Sequence, residues 1–437
     1  MTRKIFNILI LMIASLQMQG QVVFNSIEDV WKYADGHNVT IRTAEFEVRK
    51  ANYATKQSIG SLLPQATLGG TFTDNTALPT TLIPGQIFGG PAGSYKAVQF
   101  GQKFIYQGSL TAQMDIINLQ NWFNVKINKQ TEDLNKASLA NTKQNIYQEV
   151  AKQYYAYLLM DKAALLAEKS RSIADSVYQS VSNKFKEGTV NAANVDQSKI
   201  NLKKVEQTYI TALYQLQTTK NNLKGLLGMS LSDSLIVNST LDQNIIVDDN
   251  LLFKENPSTR ISLYQKNISL SQYRASNSSF LPTLSVAYSN STQQNDSTYR
   301  PFKGGPQWYP AAFWQVKASF PIFTGGSRVF QSEKYKVAYN ESKMQYENAL
   351  KQDAINDDNI RLTYRKSIAL LRNNEEVMNL SFDNYIHLTY RYEAGAASLD
   401  ERLTAFSDYI NYQNQYLNSL SDMLVQLYQI KIRQQSF

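Results

Sequence analysis

Few residues in this chain could do chemistry. There are two histidines, His37 and His387, and no cysteine. Each histidine stands alone, with no second histidine near it in the sequence. The lack of cysteine excludes disulfides, thiolate metal sites, thiol nucleophiles and an N-terminal lipid attachment. Asp353, Asp357 and Asp358 share one helical stretch, but they lack the spacing and turn glycine of a calcium loop, so a solvated face is expected there. No phosphate-binding loop, dinucleotide glycine pattern or nucleophile elbow occurs. What remains is Ser398-Leu399-Asp400-Glu401-Arg402. A serine followed three residues later by glutamate is a capping box, and Asp400 suits the positive N-terminus of the helix that would follow. No catalytic, cofactor-binding or metal-binding residue is assigned; an enzyme is not expected, and the work would be done by shape and opening.

The elements around that stretch occur twice. Lys184-Phe185-Lys186-Glu187-Gly188 is answered by Arg391-Tyr392-Glu393-Ala394-Gly395, and Ser61-Leu62-Leu63-Pro64 by Ser279-Phe280-Leu281-Pro282. The stretch from Met114 to Asn118 is answered by Phe320 to Thr324. The pairs keep their order at offsets of about 205–220 residues, the mark of one duplicated unit. Each unit reads helix, Leu-Pro break, two alternating strands, a very long helix, a glycine turn and another long helix. The expected organisation is a signal peptide over 1–20, a first repeat over 21–228, an inter-repeat segment over 229–254 and a second repeat over 255–437.

The N-terminus supplies an address. Thr2-Arg3-Lys4 is basic, Ile5 to Leu16 is apolar, and Gln17 to Gln21 is small or polar. The apolar run falls short of the roughly 20 residues that span a bilayer as a helix. It reads as a secretory signal cut near Gly20, with an uncleaved anchor as the alternative. No later segment is long and apolar enough to span as a helix, which leaves an exported chain either soluble or held in a membrane by strands. The formal charge is +8, and losing Arg3 and Lys4 leaves +6. The basic residues are scattered and form no stripe for nucleic acid, so no nucleic-acid partner is expected.

Four stretches alternate with period two, at about 64–74, 104–117, 282–290 and 312–323. One set is apolar and includes Leu68, Phe72, Leu110, Met114, Val286, Tyr288, Trp314, Val316, Phe320 and Ile322; the opposite set is mostly small hydroxyls and amides. Each run has the length a tilted strand needs to cross a bilayer. Aromatic residues such as Phe100, Trp122, Trp308 and Tyr309 gather near the ends, as in interfacial belts. A soluble sheet packed on one face has the same alternation, but the shortage of charge on the polar face favours a wet lumen. Four strands cannot close a barrel and lipid does not tolerate open sheet edges. The chain must therefore oligomerise; three copies give twelve strands, and two or four also satisfy closure. The turn-rich loops over 75–99 and 290–311 are expected outside the cell. The first is long enough to fold over a barrel mouth, or is a plain solvated loop.

From Asn124 to Phe185 there is neither proline nor glycine, a rod of about 90 Å at the rise of an α-helix. The returning helix keeps Leu202, Val205, Tyr209, Ala212, Leu216, Thr219, Leu223 and Leu226 at alternating spacings of three and four, a coiled-coil seam. Leu403, Phe406, Ile410, Leu417, Leu420, Leu424 and Leu427 repeat it. Tyrosine, with 27 copies, crowds the other faces beside Gln and Asn, which suits walls with one packed and one wet side.

The duplicated order, the Leu-Pro switches, Phe320-Pro321-Ile322-Phe323-Thr324-Gly325-Gly326 and the paired Phe/Tyr-x-x-Gly turns resemble the TolC-type outer membrane efflux proteins over nearly the whole mature chain. The resemblance implies a mixed α and β membrane protein. A homotrimer would close a 12-stranded β-barrel in outer-membrane lipid and continue it as a long α-helical coiled-coil barrel in the periplasm. It implies a passive exit duct of a tripartite efflux or type I secretion system, without a cofactor. The partners would be a periplasmic adaptor (membrane fusion) protein and an inner-membrane efflux pump or ABC exporter.

By the same resemblance, Glu401 with Asp400 would form an acidic ring at a periplasmic gate, where like charges repel and draw cations. Tyr392, Arg391 and Arg402 would hold the tip shut by hydrogen bonds to a neighbouring subunit. The first copy has Asn191 as its cap, with Asn194 and Gln197 after it, and adds no acid ring. Phe185, Gly188, Gly395 and Ala396 at the two turns would dock the adaptor, small residues permitting close approach, although helix ends call for glycine in any case. The first copy departs from the pattern at Asp115-Ile116-Ile117-Asn118, so its strand-to-helix bend is expected to differ. Short inter-repeat and tail segments imply a small equatorial belt. The competing reading is a secreted or surface coiled-coil structural protein with a soluble sheet.

Overall fold

A computed structural model describes residues 22–239, 252–299 and 307–435. The expected signal peptide and part of the inter-repeat segment lie outside the described residues. In chain order the elements are strand β1 (Val22–Phe24), helices α1 (Ile27–His37) and α2 (Val39–Gly60), and strands β2 (Gln65–Asp74), β3 (Thr80–Pro84), β4 (Tyr95–Gln99) and β5 (Phe104–Ile117). Helices α3 (Leu119–Lys186) and α4 (Ala192–Leu226), strand β6 (Leu235–Val237) and helix α5 (Pro257–Ser278) follow. Strands β7 (Thr283–Asp296) and β8 (Tyr309–Ser319) and helices α6 (Ser327–Glu393) and α7 (Leu399–Gln434) complete the chain. The order helix, strand, strand, long helix, helix occurs as α2-β2-β5-α3-α4 and again as α5-β7-β8-α6-α7. The described residues form two compact units, one within 49–133 and 263–344, the other within 22–48, 134–262 and 345–435. Each draws on both copies, and the chain passes between them within α2, α3, α5 and α6.

The first of these units holds an antiparallel sheet in the order β2-β5-β7-β8. Its register puts Leu68 opposite Leu110, Phe72 opposite Tyr106, Ala112 opposite Tyr288, and Tyr288 opposite Trp314. The alternation therefore sums to one largely apolar face, which β7 interrupts from Asn290 to Asp296. On the other face Thr67, Thr111 and Ser289 line up, with the Thr67 and Thr111 hydroxyls 3.1 Å apart. Among the described residues, β2 and β8 each keep one unpaired edge, and both are exposed along their whole length.

Three details differ from the sequence reading. β8 stops at Ser319, so Phe320 and Ile322 lie in the bend to α6. Pro321 has no N–H for a ladder, and Gly325 (φ 62°) and Gly326 (φ 80°) turn the backbone left-handed. β7 runs past 290 to Asp296, because its polar continuation still pairs with β5 as far as Phe104. The stretch read as a loop over 75–99 contains a hairpin: β3 pairs with β4 from Thr80↔Gln99 to Pro84↔Tyr95, around a 3-10 turn at Gly85–Phe88. Its β-branched and aromatic residues favour pairing. The first-copy bend does differ from the second. It has a register shift between Asp115 and Ile117, and Asp115 accepts hydrogen bonds from the Asn118 (2.9 Å) and Asn121 (3.1 Å) side-chain amides.

In the second unit, a core of large side chains gathers around α1, α3, α4, α6 and α7, including Trp31, Tyr154, Leu223, Leu371, Met423 and Ile430. Trp31 stacks on Tyr147 with ring centroids 5.0 Å apart and donates its indole N–H to the Tyr147 carbonyl (3.0 Å). The predicted seams are buried or half-buried along both returning helices. The parallel pairing of β1 with β6, from Val22↔Leu235 to Phe24↔Val237, has no local sequence signal.

The C-terminus of α4 meets that of α1. Asn38 donates to the Leu226 carbonyl (2.8 Å), and Gly228 adopts φ 70° with no room for a side chain, since a Cβ there would lie 2.7 Å from the His37 carbonyl oxygen. Both the left-handed backbone and the contact exclude other residues. Gly228→Ala is therefore expected to lose about 1–3 kcal/mol, read as a lower unfolding temperature of the helical circular-dichroism signal. An unchanged midpoint would show that α1 and α4 are not locked there.

The expectation of a solvated acidic face at Asp353, Asp357 and Asp358 holds only for Asp358. Arg433, buried in the last turn of α7, donates from Nη2 to Asp357 (2.6 Å) and Asp353 (3.2 Å), from Nε to Asp357 (3.0 Å) and from Nη1 to the Lys254 carbonyl (3.1 Å). Asn256 donates to Asp353 as well (2.8 Å). The carboxylates turn inward because the tail delivers a buried cation between them.

Candidate gate at the helical turns

The two hairpin turns belong to the second unit and share one construction. The Gly188 N–H donates to the Phe185 carbonyl (2.9 Å) and the Thr189 N–H to the Lys184 carbonyl (2.9 Å). In the other copy, Gly395 donates to Tyr392 (3.1 Å) and Ala396 to Arg391 (2.7 Å). This is the Schellman pattern, which satisfies the last carbonyls of a helix and needs a left-handed residue. Gly188 and Gly395 supply it at φ 73° each. Phe185, the aromatic of the first turn, is 46% exposed, and Ala396 is exposed beside Gly395.

Beyond each turn a polar side chain caps the next helix. Asn191 accepts from the Asn194 N–H (3.0 Å) at the start of α4. At the start of α7 the box is complete: the Ser398 hydroxyl accepts from the Glu401 N–H (3.2 Å), while the Glu401 carboxylate accepts from the Ser398 N–H (2.7 Å) and hydroxyl (2.9 Å). Those hydrogen bonds, backbone first, with Arg391 adding to them, hold the fully exposed Glu401 carboxyl below its usual range. A group bonded in its charged form stays charged.

The remaining residues singled out in the sequence also converge here. Asp400 accepts from the Gln197 side-chain amide (2.6 Å), tying the first turn of α7 to the second turn of α4. Tyr392 lies against Val177, Val181, Leu399 and Leu403. Its ring is flanked by two cations, Lys184 Nζ at 4.8 Å and the Arg402 guanidinium at 5.3 Å, an attraction of the ring quadrupole for charge. The Tyr392 hydroxyl and Arg402 Nε are shielded from solvent without a hydrogen-bond partner among the described residues. Arg391 donates to the Ala396 carbonyl of its own turn (3.1 Å).

Within one chain, then, the acids of the tip are held by Ser398 and Gln197, and its cations lie against the Tyr392 ring or donate to the Ala396 carbonyl. Sequence reasoning missed Lys184 and the Gln197–Asp400 pair. The only available signal was the equivalence of the turns, which sets Lys184 at the position of Arg391. Among the described residues no group of three or more His, Cys, Asp or Glu could hold a metal ion, and no helix is long and apolar enough to cross a membrane.

Comparison with known proteins finds a family model for the first repeat and solved structures of like fold for the chain. The family model for outer membrane efflux proteins matches residues 32–229. No curated protein matches the chain in sequence. Among solved structures, CusC is similar with a TM-score of 0.78 at 15% identity, covering 95% of this chain and 93% of that one. The outer membrane protein VceC from Vibrio cholerae gives 0.74 at 15%, covering 92% and 95%. The open MtrE outer membrane channel from Neisseria gonorrhoeae gives 0.73 at 16%, covering 92% and 88%. At such identities the likeness is one of fold, and it runs through both units. With the matched family model and the duplicated strand and helix order, the conclusion is that residues 32–229 match the outer membrane efflux protein family and that the chain shares the fold of the solved outer membrane channels.

Proposed function

We propose that the protein is the outer-membrane exit duct of a tripartite efflux or type I secretion system. The chain is not an enzyme; it conducts substrates passively, and the energy comes from an inner-membrane efflux pump or ABC exporter. Behind a cleaved signal over 1–20, the repeats over 21–228 and 255–437 each contribute two strands and a helical hairpin. Three chains close a 12-stranded β-barrel in the outer membrane, and their long helices form the periplasmic conduit. The observation that supports this most is the sheet: one face largely apolar, the other lined with small hydroxyls and amides, and both edges unpaired among the described residues. Such edges are not tolerated in lipid unless another copy pairs with them. The solved relatives support it too, since CmeC, OprN and MtrE are outer membrane channels.

At the periplasmic end, three copies of Asp400 and Glu401 gather around the axis, and the depressed Glu401 carboxyl keeps that ring charged at neutral pH. Arg391, Tyr392 and Arg402 brace the turn behind it. The adaptor protein docks on the turns at Phe185, Gly188, Gly395 and Ala396.

The test is single-channel conductance of the purified protein in a planar bilayer, beside Asp400→Ala/Glu401→Ala. Discrete steps are expected from both, larger or more frequent and less cation-selective in the variant, because rings of carboxylates select cations. Identical steps would leave the two acids as a cap and a strut between helices. A protein that never enters bilayers and needs no detergent would instead be the secreted structural protein.

A further inference from the structure

The first outward hairpin carries an unusual surface. Between Asp74 and Asp115 the chain has no carboxylate at all, and its charged side chains there are Lys96 and Lys103. Within that stretch β3 and β4 form a two-stranded hairpin, which is marginally stable by itself. It nonetheless presents Leu82 (66% exposed), Ile87 (71%), Phe88 (54%) and Tyr95 (68%). An apolar patch of this kind marks a surface with a partner.

Position and charge together say which partner. The hairpin springs from the Asp74–Phe104 end of the sheet, where the Asn75 N–H donates to the Lys103 carbonyl (2.7 Å). At that end Phe72, Phe104, Tyr106 and Tyr299 form an aromatic cluster, with centroids 5.0 to 6.2 Å apart. Phe72, exposed, continues the apolar face of the sheet, while Phe104 and Tyr106 are buried beside Asp296 and Gln294 of β7. Aromatic groups so placed on a membrane strand sit at headgroup depth, and the hairpin starts just beyond them. Lys96 Nζ lies 5.1 Å from the Phe88 ring and Lys103 Nζ 5.1 Å from the Phe104 ring. Cations over aromatic bodies suit an interface in which apolar parts sink and charges reach for headgroups. A lid across a water-filled mouth would set these apolar groups against the permeating water.

We propose that the hairpin β3–β4 is an interfacial anchor, its apolar side chains laid into the outer leaflet and Lys96 and Lys103 paired with phosphate-bearing lipid headgroups. The assignment rests on the membrane-barrel reading, and the experiment separates the two. Because the chain has no cysteine, single nitroxide labels can be placed at Ile87→Cys on the hairpin and Leu68→Cys on the apolar face of β2. The full-length protein is reconstituted in nanodiscs of phosphatidylcholine with phosphatidylglycerol. Both labels are expected to collide with oxygen and be protected from a water-soluble nickel reagent.

Adding Lys96→Ala and Lys103→Ala should shift the hairpin label toward water by about fivefold per lysine in anionic nanodiscs, and far less in pure phosphatidylcholine. A hairpin label open to nickel, or closed to both reagents as under a protein-packed lid, would overturn the anchor while the Leu68 label still reported lipid. Equal depth in both lipids, indifferent to the lysines, would overturn the headgroup assignment. Nickel exposure of both labels would sink the membrane reading itself and the anchor with it.

Discussion

Replacing Arg433 by methionine is expected to cost about 3–5 kcal/mol of stability. The guanidinium is buried at 2% exposure, and both carboxylates it serves are themselves less than one-fifth exposed. Methionine keeps much of the volume but leaves Asp353 and Asp357 facing each other without a cation, and it frees the Lys254 carbonyl. Removing one partner of a buried pair is costly for that reason, whereas neutralising both sides is much cheaper. Asp357→Asn added to Arg433→Met should therefore recover part of the loss.

The effect has a definite pH dependence. Burial, the largest influence, raises the Asp357 carboxyl above its usual range, while Arg433 pulls it down. A carboxyl raised in the folded state takes up its proton there before the unfolded chain does. Its contribution to stability is present below the unfolded value and lost as pH rises through the folded value. Without Arg433 the folded value climbs further, so the deficit of Arg433→Met should be largest near neutrality and shrink as pH falls through the carboxylate range. Thermal unfolding of both proteins across that range, followed by circular dichroism, reads this directly. A pH-independent deficit would mean that lost packing, not the uncompensated carboxylates, carries the effect.

The next largest effect is expected in the sheet, from two adjacent residues of β2. Leu68 is 84% exposed in the single chain and stands on the apolar face opposite Leu110. If that face meets lipid, Leu68→Arg should destabilise the barrel by about 2–4 kcal/mol, the range for arginine near a bilayer midplane. Thr67 points to the other face, where its hydroxyl meets that of Thr111. Thr67→Arg should leave assembly intact and shift ion selectivity toward anions. Heat dissociation of the oligomer on gels, with folding yield into vesicles, compares them. The reverse order would mean that the lumen and lipid faces have been exchanged; harmless arginines at both positions would point to a sheet in water.

The kind and order of the long helices and of the four sheet strands were legible in the sequence because local rules set them. Period-two stretches became strands, the run without proline or glycine became α3, and Gly188 and Gly395 became the turns, each left-handed as a helix end requires. Ser398 with Glu401 was a capping box in the letters and is one in space. Element ends were less legible: β8 stops at Ser319 because Pro321 and the following glycines outweigh the alternation of Phe320 and Ile322. The hairpin over 80–99 was hidden behind its prolines and glycines, which mark turns but also flank short strands.

Pairings across the chain were decided only by the tertiary structure. Arg433 meets Asp357 across 76 residues, Gln197 meets Asp400 across 203, and Asn38 caps Leu226 across 188. No periodicity encodes such meetings, since a helical repeat says which face is buried but not which polar group arrives opposite it. The acidic residues of α6 look solvated in sequence for that reason. Their cation belongs to a helix that reaches them only once the coiled-coil seams have packed.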